Sequence, residues 1–230
     1  MGEVSEPVAD LIATAWTRAL RSMVRIDDLP EKGTPQFEFL TAAAAMIGRA
    51  SHVPTPIVGR ADWATPEVLT RLLEDCSESL ERSSTTKNGK VNAEVSGETY
   101  AFLADLGIAD TVAEQTGISV TMADPSHSTY IVYESPGQGL ELHFDFPRYG
   151  DVNILLCLER IGLDQTGTPS RTIVVDGDGI SEYLFAAGEY FIFDGAASPH
   201  GRTPLQSGER ITLLSAGLMK TGDKRHAQQL

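Results

Sequence analysis

Two histidines and an aspartate in the second half of the chain, His143, Asp145 and His200, have the donor types of a two-histidine, one-carboxylate metal face. Such a face leaves three octahedral positions for small ligands and suits non-haem Fe(II), which predicts an oxygenase. Arg210 follows downstream, and a guanidinium is the side chain that pairs bidentately with a carboxylate and stays charged in a dry pocket. His-x-Asp alone is common by chance, and an Arg alone more often pairs with a surface acid. The ordered set is far more specific than any member of it.

Spacing gives these residues a common geometry. From Leu140 to Phe146 apolar and polar side chains alternate, the pattern of a half-buried strand, so His143 and Asp145 leave one face together while Leu140, Leu142, Phe144 and Phe146 take the other. The third ligand must come from elsewhere, and His200 is offered just after the apolar run Tyr190-Phe-Ile-Phe193, with Pro199 fixing its entry and Gly201 letting backbone pass close by. By the same alternation Arg210 and Thr212 share a face of a strand, so a guanidinium fork and a hydroxyl can converge on one carboxylate.

With these residues in place, the chain resembles the Fe(II)/2-oxoglutarate-dependent dioxygenase family, marked by His-x-Asp, a distal His and Arg-x-Ser/Thr. The resemblance spans roughly residues 128 to 219. The stretch from Tyr133 to Phe146 is similar to the prolyl 4-hydroxylase type, although its Tyr-to-His spacing differs and Arg210 stands where that type has Lys. It implies an Fe(II) centre on His143, Asp145 and His200, with 2-oxoglutarate and O2 as cosubstrates and Arg210 and Thr212 on the distal carboxylate. Tyr133 and Asn153 become further candidates for binding 2-oxoglutarate. The implied reaction oxidises a substrate C–H bond and releases succinate and CO2. Halogenating members replace the aspartate with a small residue, so Asp145 implies hydroxylation, desaturation or ring formation instead.

These residues need elements to position them. Eight strands are expected, at 128–134, 140–146, 152–159, 171–175, 180–185, 189–193, 200–203 and 210–219, separated by Gly, Pro and Asp, as suits a double-sheet jelly roll. The first half reads as helical. Val8, Leu11, Ile12, Trp16, Leu20, Met23 and Val24 recur at helical spacing, and Thr34-Pro35 and Thr65-Pro66 mark two more helix starts. A further helix from Ser96 to about Gln115 is broken at Gly107, and the polar run 83–90 reads as a mobile loop. The expected whole is one α+β oxygenase domain over 1–230. It comprises a helical part (1–117) packed on one sheet of a double-stranded β-helix core (118–219), then a polar tail (220–230).

Composition narrows the partners. A net charge of −14, with no basic cluster, argues against nucleic acid. No apolar run is long enough to span a bilayer, and the first residues lack the signature of a signal peptide, so a cytoplasmic location is expected. Cys76 and Cys157 are isolated, and no disulfide framework follows. The substrate is expected to be a small molecule, an amino acid or a peptide. Arg148 and Tyr149, in the loop after the metal-binding strand, and Arg202, on the face of His200, are its candidate contacts. Two other classes remain open: a cupin-type metalloenzyme that does not use 2-oxoglutarate, and a non-catalytic jelly-roll binding module. Oligomeric state is not legible.

Overall fold

The computed structural model describes residues 6–48, 51–53, 55–87, 89–162 and 168–222; most of the expected tail lies outside these. In chain order the elements are α1 (Glu6–Met23), α2 (Pro35–Gly48), β1 (Ile57–Arg60), α3 (Pro66–Ser83), β2 (Ser84–Lys87), β3 (Lys90–Glu94), α4 (Gly97–Asp105), α5 (Ile108–Thr116) and β4 (Val120–Met122). Then come β5 (Ser128–Tyr133), β6 (Leu140–His143), β7 (Val152–Ile161), β8 (Thr172–Val175), β9 (Ile180–Tyr183), β10 (Glu189–Phe193), β11 (His200–Arg202) and β12 (Arg210–Lys220). Helix starts follow the expected chemistry. Thr65 Oγ1 accepts from Val68 N ahead of Pro66 in α3, and Ser96 Oγ accepts from Thr99 N in α4. Gly107, at φ +77°, takes the left-handed turn that separates α4 from α5.

Two antiparallel sheets face each other. The larger has the order β1-β10-β7-β12-β5-β3-β2, with β4 pairing β12; the smaller is β6-β11-β8-β9. All eight expected strands are present, with ends shifted by a few residues. Three others, β1 to β3, fall in the half read as helical, and β4 lies just after it, ahead of the first expected strand. The run 83–90, expected as a mobile loop, instead forms most of the β2–β3 hairpin, paired from Ser84↔Ala93 to Lys87↔Lys90 and joined to β5. In β3, Val91 and Ala93 alternate with Lys90, Asn92 and Glu94, while the all-polar β2, Ser-Thr-Thr-Lys, made the run look like a loop.

The helices divide between the sheets, where a single covered sheet was expected. Leu72, Cys76, Leu103, Ile108 and Val112 of α3 to α5 pack on the outer face of the large sheet, against Tyr130, Val132, Leu156 and Leu214. Ala13, Leu20 and Val24 from α1 and its end, with Leu40 and Ala44 of α2, cover the small sheet at Leu142, Phe144, Ile173 and Val175. Of the apolar stripe that predicted α1, only Leu20 and Val24 are buried, while Val8, Leu11, Ile12, Trp16 and Met23 are exposed. Among the described residues, no helix is long and apolar enough to cross a membrane.

A buried ion pair ties the sheets' ends. Arg160 Nη2 lies 2.9 Å from Glu209 Oε1, both side chains almost fully buried, and the Glu209 carboxylate also accepts from Ser170 N and Gln206 N. Removing one member leaves the other charged and unpaired in the interior, so Glu209→Ala is expected to cost about 3–5 kcal/mol. A lowered urea midpoint measures it. The exposed pair Arg71–Glu98 is the control, and Glu98→Ala should leave the midpoint nearly unchanged.

Candidate metal centre

β11 lies between β6 and β8, in a register that sets His200 directly opposite His143. Their rings sit 4.3 Å apart between centroids. Asp145 follows just beyond the end of β6, and its carboxylate oxygens lie 3.5 Å from His143 Nε2 and 3.6 Å from His200 Nε2. One donor atom from each of the three residues falls within 4.8 Å of the others, a spacing that one ion can bridge.

Backbone carbonyls set the imidazoles. His143 Nδ1 lies 3.0 Å from Glu141 O and His200 Nδ1 lies 3.0 Å from Ser198 O. A carbonyl only accepts, so each Nδ1 carries the proton and each Nε2 keeps its lone pair for a metal. Burial above all, with the neighbouring His143 imidazole and Lys90 ammonium adding to it, lowers His200 to about 4, so it is neutral at neutral pH. Burial works against ionisation of Asp145. The neighbouring His200, His143 and Lys90 outweigh it and hold the carboxyl well below the usual range. Neutral imidazoles and an ionised carboxylate are the forms a divalent cation requires.

Gly195, which the sequence reading did not single out, sets the position of Asp145. Its carbonyl accepts from Asp145 N at 2.8 Å, its own N–H donates to Asn153 Oδ1 at 3.2 Å, and a Cβ there would lie 2.2 Å from Asp145 Oδ2. Upstream, the buried Asp194 carboxylate accepts from Ser51 Oγ, His52 N and Ala197 N, fixing the turn that leads to His200.

The triad opens into a cavity of about 520 Å³ between the sheets. Arg202, two residues after His200 on β11, is 2 % exposed and lines it. Its guanidinium donates to Thr172 Oγ1 at 3.0 Å and Ser170 Oγ at 3.1 Å and stands 5.5 Å over the Tyr133 ring. Nε has no partner, and among the described residues no carboxylate lies within 4.0 Å. Burial lowers this guanidinium to about 10, so it remains a cation at neutral pH. Burial also raises the Tyr133 hydroxyl, which stays protonated.

Arg210 and Thr212 are not in this cavity, contrary to expectation. On β12, Ile211, Leu213 and Ser215 pair with Tyr133, Ile131 and Thr129, the cavity face of β5; Thr212 pairs with Val132, on the helix-covered face. Arg210 Nε points instead toward Glu159 Oε2 at 3.7 Å, and Thr212 is buried with its hydroxyl unpartnered. They share a face as expected, and it is the outer one. Arg148 is also outside the cavity lining: it pairs with Asp10 of α1 at 2.6 Å and lies over the Phe146 and Tyr149 rings. Tyr133, Tyr149, Asn153 and Arg202 do line the cavity. So do Thr14, Thr17 and Arg21 of α1 and Thr85, Lys90 and Asn92 of the hairpin, none of which the sequence reading found. The i, i+3, i+7 spacing of Thr14, Thr17 and Arg21 was the available signal.

Solved structures share this architecture. A prolyl-4-hydroxylase from Pseudomonas putida superposes with a TM-score of 0.51 at 17 % identity, covering 78 % of this chain and 100 % of that one. A prolyl hydroxylase in complex with a hypoxia inducible factor peptide fragment, from Trichoplax adhaerens, gives 0.57 at 13 % identity over 84 % and 94 %. The epimerase SnoN, in complex with Fe3+, alpha ketoglutarate and nogalamycin RO, gives 0.61 at 11 % identity over 78 % and 84 %. The fold is that of these proteins. No protein-family model and no curated protein matches the sequence, so the likeness is one of fold.

The Gly195 contact yields a test. Gly195→Ala sets a methyl group against the Asp145 carboxylate and is expected to weaken Mn(II) or Fe(II) binding at least about tenfold, or about 1.4 kcal/mol. Metal titration of the variant checks this, with circular dichroism verifying that the sheets persist.

Proposed function

We propose that the chain is an Fe(II)- and 2-oxoglutarate-dependent oxygenase, a single domain whose core is a double-stranded β-helix. Strands β5 to β12 pass repeatedly between the sheets, and the four-strand orders β10-β7-β12-β5 and β6-β11-β8-β9 support the jelly-roll reading. The observation that carries the function is the triad His143, Asp145 and His200. Its donor atoms converge, both imidazoles present Nε2, and the fold is one in which a solved example holds Fe3+ with alpha ketoglutarate.

When bound, iron and 2-oxoglutarate supply, with dioxygen, oxidation of a C–H bond coupled to release of succinate and CO2. The residues of this chain do the positioning. Asp145 offsets charge at the metal, while His143 and His200 are held in one tautomer and orientation by Glu141 O and Ser198 O. Arg202 takes the clamp role that the sequence had assigned to Arg210. It is a buried cation on the cavity wall with an unpartnered Nε, and Thr172 and Ser170 hold its fork in place. The protonated Tyr133 hydroxyl and Asn153 are further polar groups for the cosubstrate. Ile131, Leu155, Phe193 and Leu213 make the apolar wall that keeps water from the reacting centre. A cavity of about 520 Å³ suits a small molecule, an amino acid or the side chain of a peptide. The retained Asp145 carboxylate favours hydroxylation, desaturation or ring closure over halogenation.

Adding 2-oxoglutarate to the Fe(II)-loaded protein without oxygen is expected to produce a weak visible charge-transfer band, and admitting air to produce succinate. His200→Ala loses iron. Arg202→Met keeps iron but weakens 2-oxoglutarate by about 30-fold or more, as for one partner removed from a buried charge pair. Arg210→Ala changes neither. Iron binding with no response to 2-oxoglutarate would sink the cosubstrate assignment.

A further inference from the structure

The two helices on the small sheet are apolar on more sides than that sheet can cover. Among the described residues, seven of the ten exposed large apolar side chains lie on them: Val8, Leu11, Ile12, Trp16 and Met23 on α1, and Phe39 and Met46 on α2. α2 has one charged residue, Glu38, in fourteen, whereas α3, on the large sheet, has seven in eighteen. α3 turns a charged face to water, and α2 has none to turn. A helix that is apolar all round is one that is covered all round.

α1 lies on β6 and α2 on β8, two strand spacings or about 10 Å apart, the distance at which neighbouring helices touch. Their outer sides therefore form one surface. The exposed parts of the seven side chains come to about 700 Å², taking about 200 Å² for a whole large side chain. That exceeds the largest apolar patch of a typical monomer, about 300–600 Å², and is close to the about 800 Å² that each partner of a stable complex buries. Charge points the same way. α1 has two acidic and two basic residues and α2 a single acid, so the pair carries a net −1 of the chain's −14. Two copies can meet here without the repulsion that opposes contact elsewhere.

The spacing along α1 says what kind of partner fits. Thr14, Thr17 and Arg21 line the cavity, and Ala13, Leu20 and Val24 pack on the sheet. Val8, Ile12, Ala15, Ala19 and Met23 recur on the remaining side at intervals of four and three, the spacing of a helix–helix seam. Laid antiparallel on its own copy, with a two-fold axis between Ala15 and Trp16, this stripe pairs Val8 with Met23, Ile12 with Ala19 and Trp16 with Ala15. The two larger central side chains each meet an alanine, which lets the helices approach. Such reciprocity, residue i on j and j on i, is what a two-fold contact requires.

We infer that a second copy of this chain covers this face, in a two-fold dimer with α1 against α1 and Phe39 and Met46 of α2 at its flanks. The helix that walls the cavity is then backed by the partner subunit. Sedimentation velocity of the full chain at about 50 µM is expected to give twice the chain's mass, with a dimer Kd of about 10 µM or tighter. Ala15→Glu sets two carboxylates together at the axis, and Ala15→Lys two ammonium groups. Each variant alone is expected to sediment as a monomer, its self-association weakened at least about 100-fold. Its circular dichroism spectrum stays unchanged, because position 15 is exposed and Glu and Lys are good helix formers. An equimolar mixture of the two variants recovers the dimer, which damage to the helix would not allow. A monomer for the unaltered protein overturns the inference, and so does a dimer that persists in Ala15→Glu or a mixture that stays monomeric. An unaltered monomer that floats with phosphatidylcholine vesicles assigns the face to lipid instead.

Discussion

The register that sets His200 opposite His143 is the constraint on which the rest of the site depends. β11 is only three residues long, held on both edges by β6 and β8, and it carries the triad's His200 at one end and a buried guanidinium at the other. A slip of one residue would turn both out of the cavity, because side chains alternate along a strand. Several features serve to prevent that slip. Asp194 fixes the turn before the strand, the Asp145 backbone is anchored on Gly195, and a bulge between His200 and Arg202 adjusts the pairing with β6. The tight approach of Gly201 to Leu140 O, where a Cβ would lie at 2.5 Å, leaves no room for a larger residue between the two functional ones.

Electrostatics continues the same logic outward. A cation as deeply buried as Arg202 is costly without compensation, and its surroundings offer hydroxyls in place of a carboxylate. Ser170, which accepts from Arg202, is itself held by Glu209, and Glu209 by Arg160. The buried ion pair therefore supports the Arg202 guanidinium through Ser170, two hydrogen bonds away. This layered arrangement holds a buried charge on the cavity wall while the groups that support it are themselves bonded.

Much of this was legible in the sequence. The His-x-Asp strand, the distal His and all eight core strands were visible because alternation and donor chemistry are local properties. Alternation shows that Arg210 and Thr212 share a face but not which one, because β12 is buried on both faces. Arg202, two residues from His200 on the same strand, was read as a substrate contact, and it does line the cavity. The β2–β3 hairpin was hidden because its exposed polar residues carry the composition of a loop. The inward side of α1 was hidden because its outward stripe is the more apolar one. That helix's orientation is decided by contacts with β6 more than a hundred residues away, which no local pattern encodes.

The division of helices between the two sheets has a further consequence for how such a protein can change. The groups that would handle iron and cosubstrate lie on or beside the central strands, whereas α1 and the β2–β3 hairpin contribute a wall from segments that precede the core in the chain. In the proposed function, selectivity and reactivity fall on separate stretches of polypeptide. An exchange of the first hundred residues for another helix and hairpin would present a new surface to the same centre. A lineage built this way can move between substrates without rebuilding its chemistry.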